Sequence, residues 1–119
     1  MAKILVVDDS AFMRKILIGL LKKAGYSDVI EASDGDEAVA AFRSNKPALV
    51  LMDIVMAPKD GLYGLKGIRA IDSKAKVIMV TAVGQDAMIN DAKKLGCTDY
   101  IVKPFKEDQV AEAVKKALG

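Results

Sequence analysis

Five short apolar runs recur along the chain: Ile4–Val7, Val29–Ala32, Leu49–Met52, Val77–Val80 and Tyr100–Val102. Runs rich in Val, Ile and Leu that end abruptly in polar residues read as strands buried on both faces. The segments between them carry a different period. Met13, Leu17, Leu20, Leu21 and Ala24 fall on one face of a helix, and Ala38, Val39 and Phe42 mark a second. Leu65, Ile68 and Ile71 mark a third, Met88, Ala92 and Leu95 a fourth, and Val110, Ala113, Val114 and Ala117 a fifth. Asp34 and Glu37 are spaced as a capping box for the second helix. Asp9 or Ser10 can cap the first, and Glu107 and Asp108 suit the first turn of the last. Gly25, Pro47 and Gly96 stand where helices should stop. Strand and helix alternate strictly, which predicts an α/β fold with a parallel sheet and helices on both faces.

The polar residues that end these runs are chemically selective. Asp8 and Asp9 follow the first run, Asp53 the third, Thr81 the fourth and Lys103 the fifth. In an open α/β sheet the carboxyl ends of the strands line the ligand site. Three acids, a hydroxyl and an ammonium should therefore meet at one edge of the sheet. Each residue alone has an ordinary explanation, as a helix cap, a strand-end filler or a solvated charge. Their common register argues for a site.

Two unit charges 4 Å apart interact by about 4 kcal/mol at an effective dielectric of 20, so three carboxylates need cationic company. Lys103 offsets part of the repulsion. A hard divalent cation with oxygen ligands offsets the rest, and Mg²⁺ suits a pocket with few carboxylates because it keeps room for a phosphate. Lys103 and the Thr81 hydroxyl can then hold further phosphoryl oxygens. Phosphoryl transfer asks mainly for positioning and charge stabilisation. Asp53, alone on a central strand, is the natural nucleophile.

Composition narrows the alternatives. At 119 residues the chain is expected to form one domain, without an appended output domain. A net charge of +2 and 5% aromatics give no basic face or stacking platform for nucleic acid. No apolar stretch approaches the ~20 residues of a membrane span, and no signal peptide is visible, so a cytoplasmic protein is expected. Cys97 is the single cysteine, and there is no histidine. Ser-His and Cys-His catalysis and His-based metal sites are thereby excluded.

The segments Val-Val-Asp8-Asp9-Ser, Met52-Asp53-Ile-Val-Met, Val80-Thr81-Ala82 and Val102-Lys103-Pro104-Phe105 resemble the receiver domains of two-component response regulators. Together with Ser10-Ala-Phe-Met-Arg14 they are most similar to the stand-alone chemotaxis (CheY-like) type. The resemblance implies a flavodoxin-like doubly wound (βα)5 fold with strand order 2-1-3-4-5. It implies that Asp53 accepts a phosphoryl group from a phosphohistidine on a separate histidine kinase. It also implies that Asp9 and Asp53 bind Mg²⁺ directly, with Mn²⁺ a possible substitute, that Asp8 acts through water, and that the backbone carbonyl of Val55 is a further ligand. Thr81 and the Ala82 amide should contact the phosphoryl group, and Lys103 should pair with it. Lys103-Pro104 matches the family's cis peptide, and Tyr100 its switch aromatic. Phosphorylation should draw Thr81 inward, let Tyr100 rotate, and alter the face formed by the fourth helix, fifth strand and fifth helix. The implied partners are the kinase, a motor switch or other downstream protein, and a phosphatase, with the receiver itself a monomer. Such a chain is a signalling switch that catalyses only its own phosphorylation and dephosphorylation.

This sequence departs from the family pattern after Met56, where Ala57 precedes Pro58, and an unusual loop path is expected there. Val55 and Val83 occupy two positions that are often polar in the family, which implies slow dephosphorylation. Two other functions on this fold fit less well. A flavin mononucleotide carrier needs a phosphate-cradling loop where Asp8 and Asp9 stand, and an aspartyl phosphatase wants its second acid two residues beyond the first. Within the family, a phosphorelay intermediate that passes its phosphoryl group to a histidine phosphotransfer protein remains the alternative to a chemotaxis regulator.

Overall fold

A computed structural model describes residues 2–119. The elements alternate as the pattern predicts: β1 Ile4–Val7, α1 Ala11–Lys23, β2 Val29–Ala32, α2 Gly35–Asn45, β3 Leu49–Asp53, α3 Gly61–Ile71, β4 Val77–Ala82, α4 Asp86–Lys94, β5 Asp99–Lys103 and α5 Glu107–Leu118. The sheet is parallel throughout and runs in the order β2-β1-β3-β4-β5. This is the flavodoxin-like doubly wound arrangement, with β3 in the middle and β1 and β4 beside it.

Side chains alternate along each central strand, and so divide the core into two layers. Leu5, Val7, Val50, Met52, Val77 and Met79 face α2, α3 and α4, where Phe42, Leu65, Ile68 and Ala92 meet them. Ile4, Val6, Leu49, Leu51 and Ile78 face the other way, against Leu17 and Leu21 of α1 and Val110 and Val114 of α5. Burial on both faces is why the runs are continuously apolar rather than alternating.

The three later strands outrun their apolar cores. β3 continues to Asp53, β4 through Thr81 to Ala82, and β5 starts at Asp99 and ends at Lys103. The ladder is made of backbone bonds, so it persists where the side chain turns polar. Asp53 pairs with Val80, Thr81 with Val102, and Ala82 with Lys103. The site residues are therefore held in the sheet itself.

Helix ends follow local chemistry. Ser10, Asp34 and Asp60 cap α1, α2 and α3 by accepting from the amides of Met13, Glu37 and Tyr63. The reciprocal arm expected at α2 is displaced by one residue: Glu37 takes the amide and hydroxyl of Ser33 at 3.0 and 2.7 Å. Those bonds, the hydroxyl first, hold the Glu37 carboxyl below its ordinary range. At α1 the amide of Gly25, at φ 98°, reaches Lys22 O and that of Tyr26 reaches Leu21 O. At α4, Gly96, at φ 88°, and Cys97 repeat the pattern onto Lys93 O and Ala92 O. Both are Schellman endings that need a left-handed residue. Cys97 is half-buried, and burial, then Asp99, pushes its thiol up.

Candidate functional site

The carboxyl edge of the sheet brings Asp8, Asp53 and Lys103 together. Lys103 Nζ donates to Asp53 Oδ2 at 2.9 Å and stands 3.6 Å from Asp8 Oδ2. The second distance is an ion pair but too long for a hydrogen bond. Burial alone would lower the ammonium, but the bond and charge of Asp53, joined by Asp8, outweigh it and hold Lys103 above the ordinary lysine value.

Asp8 is the more constrained acid. Its side chain is almost wholly buried, with Oδ1 accepting from the Ser10 amide at 2.9 Å. Oδ2 is buried and has no hydrogen-bond partner. Burial, above all, and then the neighbouring charge of Asp53 push the Asp8 carboxyl up, against the pull of the Ser10 amide and Lys103. Arg14 braces this loop from outside: Nη1 donates to the Asp8 carbonyl, while Nε pairs with Glu31 at 2.9 Å.

The other expected site residues fall around this core. Asp53 Oδ1 accepts from the Val55 amide at 3.2 Å, so one carboxylate oxygen faces its own loop and the other faces Lys103. Asp9 is exposed, and among the described residues no three acidic side chains form a ready-made cation site. Two of the three acids are thus drawn against the ammonium, while Asp9 remains in water. Thr81 is fully buried, and its hydroxyl donates to Gln85 Oε1 at 2.6 Å. The Ala82 amide donates to the same oxygen at 2.8 Å. Tyr100 is partly exposed, with the Lys93 ammonium 5.1 Å from its ring centroid. Val55 and Val83 are open to solvent, Val83 at 80%.

The β3–α3 loop keeps its closure despite the shifted proline. Ala57-Pro58 is cis, as is Lys103-Pro104, and the Gly61 amide still donates to Ile54 O at 2.8 Å. Gly61 is required by proximity: a Cβ there would lie 2.1 Å from the Asp53 carbonyl oxygen. The start of α3 therefore presses directly on the end of β3.

The donor set suits a hard cation. It is all oxygen, and the orphaned Oδ2 of Asp8 is an unsatisfied acceptor beside Asp53. Gln85 and Arg14 were not singled out by sequence as functional side chains. Gln85 lies four residues after Thr81, and its contact depends on a turn that spacing alone does not announce. Arg14 lies on the first helix, and its partner in the site is a backbone carbonyl.

Fold and site define a class: a doubly wound α/β protein with a lysine-bridged acidic pocket at the carboxyl edge of its central strands. Residues 4–115 match the response regulator receiver domain, and the chain belongs to that family, the receiver domains of two-component response regulators. It is 47% identical to chemotaxis protein CheY of Bacillus subtilis over 117 residues, 98% of each chain. It is 38% identical to sporulation initiation phosphotransferase F of the same organism, covering 98% of this chain and 93% of that one. The solved receiver domain of NtrX from Brucella abortus superposes with a TM-score of 0.91 at 34% identity and 97% coverage of both chains. In the longer NtrX chain the match spans 26% of the length and 98% of this one.

Proposed function

We propose that this receiver domain accepts a phosphoryl group on Asp53 from a phosphohistidine of a histidine kinase and passes the signal on by a change of surface. The observation that carries the reading is the Lys103 ammonium, 2.9 Å from Asp53 Oδ2 and 3.6 Å from an Asp8 Oδ2 that has no hydrogen bond. A carboxylate so placed is positioned and neutralised at the sheet edge, with 11% of its side chain still exposed.

In the forward step an Asp53 carboxylate oxygen attacks phosphorus. The phosphorus–nitrogen bond breaks, its electron pair leaves with the imidazole, and an acyl phosphate remains on Asp53. Lys103 shifts its ion pair from the carboxylate to a phosphoryl oxygen. The Thr81 hydroxyl and the Ala82 amide donate to another, as oxyanion-type donors aimed at developing charge. Asp8, Asp9, Asp53 and the Val55 carbonyl would hold Mg²⁺, which when bound would supply charge neutralisation for the transferring phosphoryl group. In the dephosphorylation step water attacks phosphorus, inorganic phosphate forms, the acyl oxygen–phosphorus bond breaks and the Asp53 carboxylate returns. The chain is a switch acting on itself rather than an enzyme with a metabolite substrate.

The output is carried by α4, β5 and α5. Tyr100, outward under Lys93 in the resting protein, turns inward as Thr81 moves toward the phosphoryl group. Similarity to a chemotaxis protein favours a motor-control partner in the cytoplasm, with the receiver working as a single unit. Among the described residues, no helix is long and apolar enough to cross a membrane. Similarity to a sporulation phosphotransferase supports the second reading, an intermediate that hands its phosphoryl group to another histidine protein. Incubation with a phosphorylated histidine kinase and Mg²⁺ tests the assignment. Transfer should occur to the wild type and not to Asp53→Asn. Equal transfer to both overturns it, and onward transfer to a histidine phosphotransfer protein selects the relay reading.

A further inference from the structure

The two groups expected to receive the phosphoryl oxygen are already engaged. Thr81 Oγ1 and the Ala82 amide both donate to a single atom, Oε1 of Gln85, at 2.6 and 2.8 Å. Thr81 is fully buried, so its hydroxyl depends on protein acceptors rather than on water, and Gln85 is much the closer of its two, the Ala82 carbonyl lying at 3.4 Å. Gln85 occupies the N-cap position of α4, yet its side chain makes no bond to that helix. A cap side chain ordinarily accepts from its own first turn. Here it turns back to the strand that precedes it. Gly84, at φ 92°, supplies the left-handed residue in the short turn between them.

We propose that Gln85 is a built-in stand-in for the phosphoryl oxygen, occupying the Thr81 and Ala82 donors in the resting protein and leaving them when Asp53 is phosphorylated. The proposal rests on the phosphoacceptor reading and extends it to a residue outside the expected set. One amide oxygen satisfying an O–H and an N–H mimics what a phosphoryl oxygen would do there. A phosphoryl oxygen carries charge and forms the stronger bonds, so the exchange goes forward, but against a competitor already seated. The protein competent to bind is then only a fraction of the whole, and apparent affinity falls by that fraction.

Displacement also has a mechanical consequence. Residue 85 joins β4 to α4, and its side chain is what ties the start of the helix to the strand end. Releasing it loosens the N-terminus of α4. The same helix carries Lys93, which covers Tyr100. Gln85 is thus a positioning residue that makes occupancy of the Thr81–Ala82 pair and the attachment of α4 mutually exclusive.

The test uses beryllofluoride with Mg²⁺ as the phosphoryl mimic, on wild type, Gln85→Ala, Gln85→Glu and Asp53→Asn, followed by amide NMR. Removing the competing acceptor in Gln85→Ala should tighten mimic binding about fivefold, the worth of roughly one net neutral hydrogen bond. It should also speed hydrogen exchange at the Ala82 amide in the mimic-free protein. Gln85→Glu keeps an acceptor and adds negative charge, so it should bind the mimic more weakly than wild type. In wild type the mimic should shift the amides at the start of α4, and in Gln85→Ala those amides should already be displaced. Mimic affinity that is equal or weaker in Gln85→Ala, with unchanged Ala82 exchange, overturns the role of Gln85 alone. Failure of the wild type to bind the mimic, or equal binding by Asp53→Asn, overturns the phosphoacceptor reading itself.

Discussion

Asp8 is held in a position that suits a cation better than an empty pocket. One oxygen is satisfied by the Ser10 amide, while the other is buried without a hydrogen bond, its nearest cation the Lys103 ammonium at 3.6 Å. A buried polar atom without a partner costs about 1–3 kcal/mol. The raised carboxyl means that ionised Asp8 weighs against folding. Its favourable contribution exists below the unfolded value and is lost as pH rises through the folded one. Without divalent cations the penalty is therefore present once pH exceeds the folded value. Asp8→Asn should raise stability by about 1 kcal/mol under those conditions, because Lys103 keeps Asp53 as its partner. The gain should vanish below about pH 3, where the wild type sheds the same charge. Urea unfolding at the two pH values in a chelator measures this, and an unchanged or lower midpoint at pH 7 contradicts it. Val83 carries the second residue-scale prediction. Exposed beside the site, it cannot orient an attacking water. Val83→Glu should shorten the acyl-phosphate lifetime severalfold in a phosphate-release assay, and an unchanged lifetime removes the idea.

The residues legible in sequence were those whose chemistry coincides with the end of an apolar run: Asp53, Thr81 and Lys103. Gln85 was invisible because its role depends on a turn that brings a side chain back over four residues. Asp9 shows the opposite difficulty. Adjacency to Asp8 places it at the mouth of the same pocket, but spacing does not reveal that only Asp8 is buried while Asp9 stays exposed.

At the scale of elements, the decisive contact joins α3 to β3. A Cβ on Gly61 would meet the Asp53 carbonyl oxygen at 2.1 Å and Ile54 Cα at 2.8 Å. Neither is the flexible end of a side chain, so the helix start or the strand end must move. Gly61→Ala should cost about 3 kcal/mol, at the upper end of overpacking penalties. Gly19→Ala is the matched control. Gly19 is exposed in α1 with nothing within 4 Å of its added Cβ, so alanine should stabilise by about 0.5–1 kcal/mol. Denaturant midpoints of the two variants should therefore move in opposite directions, and a tolerated Gly61→Ala would deny the close approach. Element types were readable from period alone, but strand ends were not. Polar Asp53 and Thr81 end the apolar pattern while the backbone ladder runs on through them. Glu37 likewise accepts from Ser33 rather than Asp34, a shift that the Asp34–Glu37 spacing does not reveal.

At the scale of the molecule, one sheet serves two cores. Leu17 lies in the layer under α1 and α5, and Leu65 in the layer under α2, α3 and α4. Each is fully buried, so either alanine substitution should cost about 3 kcal/mol. Because both layers share the strands, each variant should still unfold in one transition with an unchanged denaturant slope. A second transition in either would mean that the layers are separable. Alternation of strand and helix announced this architecture, whereas the order of the strands came only through the family resemblance. Period says which residues are buried on both faces, but not which strand lies beside which.

The central claim is that the lysine-bridged carboxylate of Asp53 is the group that reacts. Acetyl phosphate and Mg²⁺, followed by intact mass and peptide mapping, test it without any partner protein. The expected result is one phosphoryl group per chain, located at Asp53, lost in Asp53→Asn and lost when Mg²⁺ is chelated. Labelling at another residue, or labelling that survives the substitution, would contradict the account.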